Sequence, residues 1–222
     1  MSKLIVLEGT DGVGKSTQFS LLMERLRKDE IPCRTVVFPQ YQEPSSALIR
    51  MYLGGEFGTK PSDVNAYAAS MFYAVDRYAS YQKDWGQDYT DGMLIVCDRY
   101  TTSNAVHQAS KEAPEKRADF FRWLYETEFD LLGLPKPDLV IYLDAPIELT
   151  EAMMRKREAQ TNTNADIHEK DLDYLSLCRK TGREAAEFYG WKMIHCACGN
   201  EMRTKEDIHE EVFRLVAKCL EE

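Results

Sequence analysis

The run Gly9-Thr10-Asp11-Gly12-Val13-Gly14-Lys15-Ser16-Thr17 restricts this chain more than any other feature, because it follows directly on the apolar segment Leu4-Ile5-Val6-Leu7. It has the form G-x-x-x-x-G-K-[ST]. In that form glycines let backbone amides curl around phosphate oxygens, the lysine neutralises them, and the hydroxyl after it reaches Mg²⁺. Phe19, Leu22, Met23 and Leu26 then recur at helical spacing, so the loop should join a buried strand to a helix whose positive N-terminal end faces the phosphates. The run thus predicts a nucleoside triphosphate site, with Lys15 as the phosphate cation and Ser16 as a metal ligand.

The remaining apolar and helical patterns predict the frame around that loop. Residues 33–38, 93–97, 139–143 and 192–196 read as further strands. Helical patterns lie at about 47–53, 61–82, 113–129, 146–157, 170–188 and 205–220. Such alternation predicts an α/β fold: a five-stranded, mostly parallel sheet flanked by helices on both faces, of the P-loop NTPase type. One domain is expected over residues 1–222. Residues 158–166 are polar and aperiodic, which predicts a surface loop, and a mobile lid is placed at about 155–168.

Charge narrows the ligand class. Against 28 basic residues stand 37 acidic ones, a formal net charge of −9, so the chain gains little from the attraction that drives binding to a nucleic acid polymer. No apolar stretch reaches the ~20 residues that span a bilayer, and no secretory h-region follows Met1-Ser2-Lys3, so a cytoplasmic protein without a membrane partner is expected. Most of the cysteines are isolated in apolar or helical contexts, as reduced core cysteines are. Cys196 and Cys198 form a close pair, and no second pair at zinc-ligand spacing answers it.

Chemistry is also predicted where buried strands end. Asp98-Arg99-Tyr100 closes the third strand, and charged residues at the carboxyl end of a buried strand face a ligand crevice. Asp98 is expected to hold the metal, directly or through water, together with Ser16, while Arg99 reaches a phosphate. The alternative is a mutual surface ion pair between Asp98 and Arg99. Asp144, at the end of the fourth strand and just before Pro146, is read as a helix cap and left out of the site.

In their order, Leu7 to Thr17, Phe38-Pro39, Asp76-Arg77, Asp98-Arg99-Tyr100 with Ser103 and Gln108, and Leu134-Pro135-Lys136-Pro137-Asp138-Leu139 resemble the thymidylate kinase family. The resemblance runs from the N-terminus to the last helix. It implies transfer of the γ-phosphoryl group of ATP to dTMP with Mg²⁺, by a homodimer. Such transfer rests on positioning and neutralisation more than on covalent chemistry. By the same resemblance, Asp11 lies near the monophosphate and sugar, Arg50 grips the acceptor phosphate, Arg77 meets the thymine edge and Arg99 bridges phosphates. The resemblance also implies that thymine stacks on an aromatic residue four positions before the base-reading arginine, which here is Tyr73, on the same helix face as Arg77. Phe72 is then core, and Phe38 a second flank of the base. Gln108 and Asn104 are placed at the base.

The lid opens with Arg155, Lys156 and Arg157, and no basic residue stands between Gly9 and Lys15. The resemblance therefore makes Arg155 or Arg157 the catalytic arginine that meets the migrating charge. Two departures stand out. The chain has Gln42-Glu43-Pro44 where many relatives have Arg-Glu-Pro, and Asp166-Ile167-His168 where many carry an arginine and an acidic residue. Another nucleoside monophosphate or deoxynucleoside kinase, or a P-loop ATPase or switch protein, is the alternative reading.

Overall fold

The apolar runs become the strands of one sheet, and their side chains sort by the two-residue period of extended backbone. The computed structural model describes residues 2–161, 168 and 171–222, with the backbone alone for 156–161. Strand β1 (Lys3–Gly9) is central, in the order β2-β3-β1-β4-β5 with β2 (Cys33–Val37), β3 (Leu94–Asp98), β4 (Leu139–Asp144) and β5 (Lys192–His195). Every pairing in this sheet is parallel, where the sequence predicted a mostly parallel one. The helices are α1 (Lys15–Lys28), α2 (Ala47–Leu53), α3 (Ala66–Ser80), α4 (Gly86–Thr90), α5 (Arg117–Tyr125), α6 (Ile147–Thr161), α7 (Leu172–Tyr189) and α8 (Lys205–Glu221).

Both faces of the sheet are covered, which explains why its strands read as continuous apolar runs. Ile5 and Leu7 of β1 join Val96, Ile141 and Leu143 in a core closed by Leu22 and Leu26 of α1 and Val212 and Val216 of α8. Leu4 and Val6 turn to the other face, where Ile95, Cys97 and Val140 pack with Trp85 and Tyr100. Among the described residues, no helix is long and apolar enough to cross a membrane.

Several predicted boundaries move, each for a local reason. Pro61 opens only a 3₁₀ turn (Pro61–Asp63). The long helix begins after Asn65, whose side chain accepts from the Ala68 amide at 2.8 Å and caps α3. It also runs past residue 82, through a π-helical stretch (Tyr81–Trp85) that delivers the fully buried Trp85 to the core. The helix predicted at 113–129 is α5 between a 3₁₀ turn and a further π-helical stretch (Glu126–Leu131). Residues 158–161, predicted as loop, continue α6, as do 155–157 at the start of the predicted lid; residues 162–167 of that lid lie outside the described residues. A small antiparallel hairpin, β6 (Ala197–Cys198) with β7 (Glu201–Met202), was not foreseen and takes in half of the close cysteine pair.

Helix α7 crosses β4 at Gly182, where a Cβ would stand 2.2 Å from the Tyr142 hydroxyl. No side chain fits there unless helix and sheet separate. Gly182→Ala should therefore lower stability by about 1–3 kcal/mol through overpacking, in spite of alanine's better helix propensity. Thermal unfolding checks this: a Tm several degrees below wild type is expected, and a Tm at or above it would show that α7 can ride off Tyr142.

Candidate active site

The carboxyl ends of β1, β2 and β3 open into a cavity of about 630 Å³, within the size range of small-molecule sites. It lies where the chain leaves β1 toward β2 on one side and leaves β3 toward β4 on the other, the switch point at which open parallel sheets bind ligands. Asp11, Gly12, Gly14, Lys15, Ser16 and Thr17 form one wall, Phe38, Asp98 and Arg99 the strand-end floor, and Tyr73, Arg77, Asn104 and Gln108 the far end.

Gly14 is the N-cap of α1 at φ 97°, a left-handed conformation that a Cβ would strain, and among the described residues no side chain caps the helix. The first-turn amides thus remain available to an oxyanion. Lys15 Nζ donates to the carbonyls of Gly9 at 2.7 Å and Thr10 at 2.9 Å, and lies 3.8 Å from the Asp11 carboxylate. Burial, and next to it Arg99, push the Lys15 ammonium below its usual range, against the pull of Asp11, Glu8 and Asp98. Val13 is buried against the core.

Arg99 organises the floor. Its backbone is left-handed at φ 66° although it is not a glycine, a conformation that costs about 1–2 kcal/mol, and its amide donates to the Leu7 carbonyl at 3.1 Å. The guanidinium is ion-paired with Asp11 and lies 3.4 Å from Glu8, 3.4 Å from Ser103 Oγ and 3.2 Å from His107 Nε2. Burial works against the charge on both members of the Arg99–Asp11 pair, and the neighbouring charges overcome it. Arg99 and Lys15 hold Asp11 well below the usual carboxylate range, while Asp11 and Glu8 raise Arg99.

The mutual Asp98–Arg99 ion pair, weighed from the sequence, is not formed among the described residues. Asp98 is instead raised by burial, with Lys15 and Arg99 opposing the rise. Ser16 and Asp98 line the same cavity, and no group of three or more metal-ligating side chains converges among the described residues. One hydroxyl and one carboxylate nonetheless fit Mg²⁺, which keeps several waters and takes its other ligands from substrate phosphates.

At the far end the structure redirects an expected contact. Arg77 is buried, and its Nε and Nη2 donate to the Glu128 carboxylate at 2.6 and 2.5 Å, with Nη1 3.3 Å from the Tyr100 carbonyl. Only its remaining N–H groups are left for a base edge. Asn104 Nδ2 also donates to Glu128, at 3.0 Å, so one carboxylate aligns both side chains. Gln108 is 1% exposed, and its Oε1 has no partner among the described residues. Tyr73 lines the cavity, while Phe72 packs on Tyr52 and Phe57. Phe38 forms part of the floor and leans on Tyr100 with ring centroids 5.9 Å apart. Asp76 accepts from the Gln40 amide at 2.8 Å and Ser45 Oγ at 2.6 Å, fixing the loop that carries Pro39 and Tyr41 into the wall.

Two expected arginines stay outside the cavity wall. Arg50 is exposed, and the carbonyls of Tyr41 at 2.8 Å and Glu43 at 3.1 Å capture its Nη1, so it closes its own preceding loop. Arg155 is exposed and paired with Glu151 one turn back along α6. The side chain of Arg157 lies outside the described residues.

Sequence reasoning missed Glu8, Glu128, His107 and His168. Glu8 is fully buried and accepts from the Gly9 amide at 2.8 Å, Thr102 Oγ1 at 2.7 Å and Ser103 Oγ at 2.6 Å. A carboxylate ending an apolar strand was the available signal. His107 and His168 stack at 5.8 Å with rings 12° apart, and His168 Nε2 lies 2.9 Å from the Tyr52 hydroxyl.

Burial pushes His107 well below its usual value, with Arg99 adding to the effect, and pushes His168 down to about 3. Between pH 6.5 and these lowered values the unfolded chain binds protons that the folded chain refuses. Stability is therefore full above pH 6.5 and falls as the pH drops through the window, with a limiting slope of about 1.4 kcal/mol per pH unit for each group. Urea denaturation at pH 7.0, 6.0 and 5.0 should show this fall, flattened in His107→Gln/His168→Gln. An equal slope in that variant would assign it to other groups.

The comparisons come to one family. A family model described as thymidylate kinase matches residues 7–212. Thymidylate kinase of Mycobacterium tuberculosis is 32% identical over 194 residues, covering 85% of this chain and 87% of that protein. Thymidylate kinase of Caenorhabditis elegans is 28% identical over 218 residues, covering 96% and 88%. The solved structure of a thymidylate kinase from Candida albicans superposes with a TM-score of 0.69 at 21% identity, over 98% of this chain and 92% of that one, and so shares the fold.

Proposed function

The chain belongs to the thymidylate kinase family and is a nucleoside monophosphate kinase that phosphorylates dTMP, and we propose that ATP with Mg²⁺ is the donor and that the cavity holds both nucleotides together. The observation that carries this reading is the distribution of groups along one cavity. A phosphate loop with Lys15 stands at one end, Arg99 in the middle, and an amide, an arginine and an aromatic ring at the other.

Residues 9–17 hold the ATP phosphates. Mg²⁺ bound through Ser16 and Asp98 supplies neutralisation of the phosphate oxygens. Arg99 then spans the gap between donor and acceptor phosphates, and trades part of its pairing with Asp11 for phosphate oxygens as two anions approach. At the acceptor end Tyr73 offers a face for thymine. Gln108 Oε1, buried with no partner among the described residues, matches the N–H of the base edge, and the N–H groups of Arg77 not taken by Glu128 and Tyr100 match its carbonyl. Arg155 or Arg157 supplies the cation that meets the migrating charge.

Release of ADP from ATP and Mg²⁺ should require a nucleoside monophosphate, with dTMP giving the highest kcat/KM among those tried and dTDP as the second product. Equal ADP release without acceptor would make the chain an ATPase instead.

We also propose a homodimer in the cytoplasm. None of the six cysteines is in a disulfide, which suits a reducing compartment. Tyr67, Met71, Val75 and Tyr78 form one stripe along α3 and are 39%, 37%, 50% and 41% exposed, an apolar face of the kind that a second copy covers. Light scattering should give twice the chain mass for the wild type and a monomer for Val75→Glu; a wild-type monomer would overturn the assignment.

A further inference from the structure

We propose that His107 is a positioning residue for the phosphoryl transfer, its Nε2 accepting a hydrogen bond from Arg99 and so aiming the guanidinium at the acceptor phosphate. The inference rests on the reading of the cavity as the dTMP site. Its ground is geometric. His107 Nε2 lies 3.2 Å from Arg99 Nη1, and arginine has donors only, so this nitrogen presents its lone pair and the ring is neutral with its proton on Nδ1. That Nδ1 is buried and has no partner among the described residues. The backbone that carries the ring is held where the His107 carbonyl accepts from Tyr174 Oη at 2.8 Å and Ser110 Oγ at 2.7 Å, and the ring itself packs on His168 and Tyr174 with centroids 5.8 and 6.4 Å away.

The surroundings show why a neutral acceptor suits this position. Arg99 already faces the carboxylates of Asp11 and Glu8. A third carboxylate would cancel the charge that an incoming phosphate needs. An imidazole lone pair fixes the plane of the guanidinium and leaves its charge available. The side chain thus orients Arg99 without competing for it.

Glutamine can place an oxygen near the position of Nε2, whereas asparagine places its amide near that of Nδ1. His107→Gln should therefore keep kcat/KM for dTMP within about threefold of wild type, while His107→Asn loses about 10- to 100-fold, the range of a lost hydrogen bond to a charged group. Binding of dTMP by calorimetry supplies a second measurement that does not need turnover. His107→Asn should weaken dTMP in the wild-type background and change it by less than about twofold in the Arg99→Ala background. Equal losses in the Gln and Asn variants, no loss in either, or the same weakening with and without Arg99 would each overturn the proposal. Failure of the underlying reading looks different, because the wild-type chain would then neither bind nor phosphorylate dTMP.

Discussion

The charge cluster around Arg99, mostly withdrawn from solvent, is the constraint on which the site depends. A guanidinium at the carboxyl end of β3 is clamped by Asp11 from the phosphate loop and Glu8 from the end of β1. These elements meet only because β1 and β3 are parallel neighbours, with Leu7 level with Asp98. Isolated burial of such a cation would be prohibitive, and pairing with two carboxylates offsets it. The same pairing fixes the phosphate loop against the sheet, so the loop and the strand-end floor of the cavity share one electrostatic joint.

That joint also shows how an acidic protein handles two anionic substrates. The net charge of −9 is spread over the chain, whereas Lys15 and Arg99 are held inside a cavity where screening is weak. In the structure their partners are groups of the chain itself: carbonyls for Lys15, and two carboxylates, a hydroxyl and the His107 imidazole for Arg99. These contacts hold both cations in place, and under the proposed reading substrate phosphates take them over with little reorganisation.

Local sequence carried the frame and the phosphate loop well, since both are written in short-range patterns. Continuous apolar runs mark strands covered on both sides, and the glycine spacing marks the turn into α1. What escaped is long-range. Arg77 and Glu128 are 51 residues apart and meet only when the π-helical stretch after α5 packs against α3, so no local window pairs them. Glu8 could have been noticed as a carboxylate at the end of an apolar run, but its hydroxyl partners lie more than 90 residues away at Thr102 and Ser103. Arg50 shows the converse. An arginine on a short helix after β2 matches a phosphate ligand by position, yet carbonyls of its own loop hold it outside the cavity wall.

The central claim is that one continuous cavity holds donor and acceptor at once, joined at Arg99. A single molecule in which thymidine and adenosine are linked through an oligophosphate chain tests this most directly, by calorimetry and steady-state inhibition. One equivalent per chain, competitive against both ATP and dTMP and binding more tightly than either nucleotide, is the expected result. Competition against only one of the two substrates, or two equivalents bound independently, would contradict it.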